Sequence, residues 1–245
     1  MATAKDIIVK PIKAAAANAL VKKVHYSGKV VANSILHFGV FLDGKLEGVM
    51  SFGSPLDKRK VLPLVKDTKW NEMLELNRMA FSDALPRNSE SRALSIAFRL
   101  IKKHYPHIQW ILSFSDGTQC GDGTIYRASG FVLTGIRENS SLLLMPNGEI
   151  LAAMTLEANF TLPQIKAISE YLGIEHKYRT RNDWIKLGAK KLQGYQLRYI
   201  YFLNPQAKER LACPIIPFSK IDEMGAGMYK GEKVTLKDRR VKEQT

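Results

Sequence analysis

Apolar residues follow two rhythms along this chain, and the switches between them mark out its elements. From Met73 to Phe81 the larger apolar residues Leu74, Leu76, Met79 and Phe81 form a strand-like run, which Arg78 interrupts. A polar loop follows, and then Leu94, Ile96, Ala97, Leu100 and Ile101 recur at helical spacing. Asn88 or Ser89 is placed to cap that helix, whose first turn would carry free N–H groups suited to an anion. Ile108 to Phe114 is a continuous apolar run of the kind found in strands buried on both faces. It stops at Ser115 and Asp116, and the end of a buried strand is where open α/β sheets place their chemistry. Glycines 117, 121 and 123 then lead into a short helix from Thr124 that Gly130 ends.

The flanking segments read more simply. Lys13 to Val24 suits a helix stopping at His25-Tyr26-Ser27-Gly28. His37 to Leu42 and Leu46 to Phe52 form a hairpin about Asp43-Gly44, with Phe38, Val40 and Leu42 on one face. Pro55 to Trp70 reads as a charged loop. A second hairpin, Ser140 to Met145 and Glu149 to Thr155 about Pro146-Asn147-Gly148, would extend the main sheet. Leu162 to Leu172 is an amphipathic helix, and Tyr195 to Leu203 reads as a strand with its aromatics in the core.

Charge changes the picture. With 37 Lys+Arg against 23 Asp+Glu in 245 residues the net charge is +14, which favours a polyanionic partner. Basic residues cluster after His176, interleaved with Tyr178 and Trp184, and Lys177, Arg179, Arg181, Lys186, Lys190 and Lys191 are read as phosphate contacts. Residues 225–245 are rich in glycine and charge. The two cysteines, Cys120 and Cys213, lack metal-type spacing. No run approaches the roughly 20 apolar residues that span a bilayer, so no membrane partner is expected. The chain shows no Walker loop, no deaminase zinc spacing, no HExxH and no GxSxG elbow.

The order of strand, loop, long helix, buried strand and short helix, the last closing with Tyr126, Ala128, Gly130 and Phe131, resembles the core of the GNAT acyltransferases. That likeness implies a mixed α/β sheet flanked by helices. The chain is read as a catalytic core over residues 1–160 and a basic extension over 161–245 that completes the sheet and contacts DNA, the two forming one compact domain. The likeness also implies acyl-CoA as a cofactor, held before the long helix by Arg87, Asn88, Ser89 and Ser91. The family's glycine-rich phosphate loop is replaced here, and Glu90 stands where a pyrophosphate would lie.

A narrower resemblance rests on seven blocks in order: His25-Tyr26-Ser27-Gly28, Phe38-Gly39-Val40, Phe52-Gly53 with Pro55, Glu75-Leu76-Asn77-Arg78, Pro86-Arg87-Asn88-Ser89-Glu90-Ser91-Arg92, Ser113-Phe114-Ser115-Asp116 and Gly123-Thr124-Ile125-Tyr126. Together they resemble the Mom proteins of Mu-like bacteriophages over about Val21 to Gly135. The resemblance implies modification of adenine N6 in double-stranded DNA to N6-carbamoylmethyladenine, in the cytoplasm of an infected bacterium, as protection from restriction.

On this likeness His25, Tyr26, Arg78, Asp116 and Tyr126 form the catalytic cluster. The N6 lone pair is delocalised, so a base must take a proton as the new bond forms and a cation must stabilise developing charge. Asp116 or His25 is the candidate base, Arg78 the stabiliser and Tyr126 a proton donor. The product is joined through a methylene carbon, which plain acetyl transfer cannot make, and the family implies iron, with His25, Tyr26, Asp116 and Tyr126 as candidate ligands. A conventional acyltransferase and a non-catalytic DNA-binding protein on the same fold are the alternatives, and a homodimer is compatible with the sequence.

Overall fold

The computed structural model describes residues 2–25, 28–117, 121–139, 141–229 and 232–233. Its strands run in chain order as β1 (Ile8–Pro11), β2 (Ser34–Leu42), β3 (Lys45–Gly53), β4 (Met73–Phe81), β5 (Trp110–Asp116), β6 (Val132–Glu138), β7 (Leu142–Leu144), β8 (Ile150–Ala152), β9 (Lys190–Lys191), β10 (Tyr195–Phe202), β11 (Met228–Tyr229) and β12 (Glu232–Lys233), the last two pairing with each other. The helices are α1 (Ala14–Val24), α2 (Lys58–Val61), α3 (Ser89–His104), α4 (Thr124–Ala128), α5 (Ala153–Ala158), α6 (Pro163–Tyr171) and α7 (Arg181–Lys186), followed by two shorter turns of helix. The main sheet has seven strands in the order β1-β2-β3-β4-β5-β10-β6. Its first four strands are antiparallel neighbours, and β4 and β5 are parallel. This is the mixed, helix-flanked sheet expected from the sequence.

The chain divides into two compact units whose segments interleave. One holds Met1–Phe114, Gly123–Gly135 and Arg198–Pro217; the other holds Ser115–Asp122, Ile136–Leu197 and Phe218–Thr245.

In the first unit the two faces of the antiparallel hairpin strands are covered by different helices. On one face α1 packs Ala17 and Val21 against Val49 and Ala80. On the other an aromatic chain runs from Phe38 to Phe52 to Phe98 of α3, with centroid separations of 5.9 and 6.4 Å. Phe98 stacks on Tyr201 at 4.2 Å and meets Phe131 at 5.7 Å, so α3, β10 and the residue leading into β6 share one aromatic core. Tyr199 and Ile200 are buried, and so are Tyr195 and Leu197 in the part of β10 that belongs to the second unit, as expected for a core strand. The segment Pro55 to Trp70 is not the open loop expected: α2 lies within it, Val65 is fully buried beside Trp110, and Thr68 accepts from the Trp110 indole at 3.1 Å. Burial of Val65 anchors the segment while the charged side chains of Lys66, Asp67 and Lys69 stay exposed.

The second unit has its own core of Leu143, Met145, Leu156, Ile165, Ile168, Trp184 and Ala189. Its three-stranded sheet has the order β8-β7-β9. The hairpin about Pro146-Asn147-Gly148 therefore forms, but does not extend the main sheet as its sequence suggested; β7 pairs with β8 on one side and β9 on the other. Alternation fixes a strand's faces but not its partner.

Candidate functional site

The polar residues of β4 owe their common direction to a bulge. Phe52 pairs with Leu76 and Ser51 with Arg78, so Asn77 is the extra residue on β4. In a regular strand Glu75 and Arg78, three positions apart, would face opposite sides; one inserted residue returns them to the same side. Glu75 lies opposite Gly53, Arg78 opposite Ser51, and His37 of β2 opposite Ser51 in turn. A row of His37, Ser51, Glu75 and Arg78 results, on the face that α1 covers. His37 is buried, its Nδ1 lies 2.8 Å from Ser51 Oγ, and burial pushes its basicity down. Ser34 Oγ donates to Asn77 Oδ1 at 2.8 Å, while Asn77 Nδ2 is buried without a hydrogen-bond partner.

Arg78 is the electrostatic centre of this row. Its Nε donates to the Lys29 carbonyl at 2.9 Å and its Nη1 to the Asn77 carbonyl at 2.8 Å. His25, the residue that ends α1, is pushed down to about 4 by burial and by the adjacent Arg78 charge. The neighbouring Lys29 is lowered by the same two causes. Glu75 is pushed up to about 7 because burial penalises its carboxylate more than Arg78 rewards it. Three groups thus answer to one guanidinium. Neutral His25 is the reverse of the protonated, dipole-favoured histidine that a helix C-terminus alone suggests.

Beside this row the sheet opens. The parallel β4–β5 ladder has three pairs and ends at Glu75↔Leu112, although β4 continues to Phe81. Ser113 Oγ donates to the Leu76 carbonyl at 3.2 Å just beyond the last pair. Gly53, across from Glu75, is held close by backbone: a Cβ there would lie 2.1 Å from the Asn33 carbonyl oxygen.

Of the five residues expected to cluster, His25 and Arg78 are brought together. Tyr126 is half-buried in α4, its ring 5.2 Å from Tyr199 and 5.1 Å from Phe131. Gly123, before α4, has φ of +72° and would drive a Cβ into the Tyr199 ring at 2.6 Å. Asp116 closes β5 in the second unit, where Ser115 Oγ donates to the Gly121 carbonyl at 3.0 Å and the Gly117 amide to the Tyr195 carbonyl at 2.7 Å. Tyr26 lies outside the described residues. Glu75 joins the five as a candidate that the sequence reading did not name; its signal was a lone carboxylate inside an apolar strand.

The turn before α3 differs from its expectation. Asn88 is the N-cap but sits at φ 70°, and its side chain makes no capping bond. Ser89 is fully buried and its hydroxyl donates to the Pro86 carbonyl at 2.6 Å, so it faces away from any ligand on the surface. Ser91 Oγ donates to the Asn88 carbonyl at 3.2 Å; Arg87 and Asn88 are exposed.

In the second unit Lys177, Lys186, Lys190 and Lys191 are exposed, whereas Arg179 and Arg181 are half-buried. Arg179 lies over the buried Trp184 ring at 5.4 Å. An open depression of about 440 Å³ is lined by Lys177, Tyr178, Arg179, Asp183, Lys186 and Leu187. No group of three or more His, Cys, Asp or Glu able to hold a metal ion occurs among the described residues. The expected iron therefore finds no such ligand set there. Nor is any helix among them long and apolar enough to cross a membrane.

Residues 6–220 match the model of the Mom protein family. The chain is 36% identical over 208 residues to methylcarbamoylase Mom of Escherichia phage Mu, covering 84% of this chain and 80% of that protein. Among solved structures it is similar to spermidine/spermine N-acetyltransferase SpeG from Vibrio cholerae, at 9% identity and a TM-score of 0.45 over 85% of this chain and 99% of that one. It is also similar to a GNAT family acetyltransferase from Elizabethkingia anophelis with acetyl-CoA bound, at 14% identity and a TM-score of 0.39 over 60% and 93% of the two chains.

Proposed function

Because this chain belongs to the Mom protein family, we propose that it is a methylcarbamoylase that transfers its group to N6 of adenine in double-stranded DNA. The observation that carries the chemistry is the half-buried pair Glu75 and Arg78 on β4, which share one field with His25 at the point where the β4–β5 ladder ends.

In the transfer the N6–H bond breaks as an N6–CH₂ bond forms, and the donor's leaving group departs with the electron pair of its own bond to that methylene. The N6 proton needs an acceptor that is ionised, yet basic enough to take it, near neutral pH. Glu75, pushed up to about 7, meets that requirement. His25, held near 4, is neutral but a weak base, and is better suited to accept a hydrogen bond. Arg78 supplies the positive charge for the leaving group. Tyr126 remains the candidate proton donor to the leaving group, and Asp116 the alternative base that the Asp116→Ala variant tests.

The exposed Arg87 and Asn88 of the turn before α3 are the groups that would meet an acyl-CoA pyrophosphate, with Ser91 beside them. The exposed lysines of the second unit, with a net charge of +14 behind them, suit the DNA backbone. Host cytoplasm is the compartment in which such a chain would meet phage DNA. No step is assigned to iron.

The test is mass spectrometry of nucleosides from plasmid DNA of cells expressing the wild-type chain, Glu75→Gln or Asp116→Ala. A carbamoylmethyl-deoxyadenosine in the wild type, lost in Glu75→Gln, is expected. An N6-acetyl product would favour the conventional acyltransferase. Unmodified DNA, with the wild-type protein soluble and bound to it, would favour the non-catalytic reading.

A further inference from the structure

The second unit exposes aromatic rings where backbone binding alone would need only cations. Tyr178 is 51% and Phe160 38% exposed, and their centroids lie 6.4 Å apart with the rings at 85°. The two rings therefore form a corner, one presenting a face where the other presents an edge. His176 fixes this corner: its Nε2 lies 2.8 Å from the Phe160 carbonyl oxygen, and its ring is 6.0 Å from that of Phe160.

Tyr178 also lines the 440 Å³ depression, together with three cations and one carboxylate. The carboxylate, Asp183, is engaged: it accepts from the Thr180 amide at 2.9 Å and the Thr180 hydroxyl at 2.7 Å. Arg179 is held over Trp184, and Lys177 pairs with exposed Glu175 at 2.9 Å, a solvent-screened contact that a phosphate can replace. Lys186 completes the rim. A flat ring at the mouth of a cationic depression suits a base and the phosphates on either side of it, and stacking of this kind tolerates any sequence because every base has a π-face.

Building on the DNA-modifying reading above, we propose that Tyr178 is a stacking platform for one unstacked nucleotide of a DNA strand, with Lys177 and Lys186 holding its flanking phosphates. The surface then does more than attract duplex. It stabilises DNA in which a base has left the helix, the state that any enzyme acting on a paired amino group must create.

The experiment compares binding of the full chain to a short single-stranded oligonucleotide and to the same strand with abasic spacers, which keeps every phosphate and removes the bases. The wild type is expected to prefer the base-bearing strand by roughly ten-fold, the scale of one base–aromatic stack. Tyr178→Phe should keep that preference and Tyr178→Ala should bring the ratio close to one, with an unchanged thermal melt for this exposed position. The Lys177→Ala/Lys186→Ala pair should weaken both strands alike. A wild-type ratio near one, with both strands and duplex bound, overturns the stacking platform and leaves the DNA reading standing. A preference that survives Tyr178→Ala places stacking elsewhere and also overturns it. Failure to bind any DNA removes the underlying reading and this proposal together.

Discussion

Glu75 is a carboxylate whose burial raises its pKa to about 7, and it makes two predictions. As the proton acceptor it must be ionised, so activity should rise with pH through about 7. Glu75→Gln should remove that limb from the rate profile and most of the rate with it. The same shift affects stability. The folded pKa is raised above the ordinary value of 4.5, so the folded state binds more protons than the unfolded chain between about 4.5 and about 7. The stabilisation is complete below 4.5 and is lost as pH rises through 7, by an amount on the order of 3 kcal/mol. Urea unfolding at pH 5 and pH 8 should show that loss in the wild type and little of it in Glu75→Gln; equal slopes in the two proteins would refute it. Gly53, opposite Glu75, tests the backbone beside it. Gly53→Ala would press a methyl group into the Asn33 carbonyl, which is rigid main chain, and should cost about 1–3 kcal/mol in a denaturation midpoint.

At the scale of elements, α3 secures the sheet through Phe98, which is 3% exposed and touches Phe52, Phe131 and Tyr201. Phe98→Ala should destabilise by about 3–5 kcal/mol in urea unfolding, whereas Phe98→Leu should recover much of it. The elements themselves were largely legible, because each rests on local periodicity: β4 spans Met73–Phe81 as read, and α1 ends beside His25. Less was legible in the site. His25 and Arg78 could be named, but the bulge at Asn77 could not, since it arises from how β4 pairs with β3 rather than from β4's own sequence. Without the bulge Glu75 and Arg78 fall on opposite faces, so Glu75 read as an incidental carboxylate. The inward turn of Ser89 escaped for a similar reason: Ser89 and Asn88 are equally good caps by type, but Asn88 takes the N-cap position in a left-handed backbone without a side-chain capping bond, and Ser89 becomes the first helical residue with its hydroxyl turned to the Pro86 carbonyl.

Over the whole molecule, a net charge of +14 is a statement about partners rather than about fold. What matters is how much of it a polyanion can reach. In the second unit Lys177, Lys186, Lys190 and Lys191 stand exposed, while Arg179 and Arg181 are half-buried, so the lysines should carry most of this surface's phosphate contacts. Each contact releases condensed counterions, and the logarithm of affinity should fall linearly with the logarithm of salt, by about 0.9 per contact on duplex DNA. Replacing all four lysines with glutamine should therefore flatten the salt slope by roughly 3 to 4 and weaken duplex binding uniformly across sequences. Lys190 and Lys191 introduce a structural alternative, since β9 is an edge strand and lysines there discourage pairing with other chains. Substituting that pair alone separates the two roles. Phosphate contact predicts a slope shallower by roughly 2 with the protein still monodisperse by light scattering, whereas edge protection predicts concentration-dependent association with the slope unchanged.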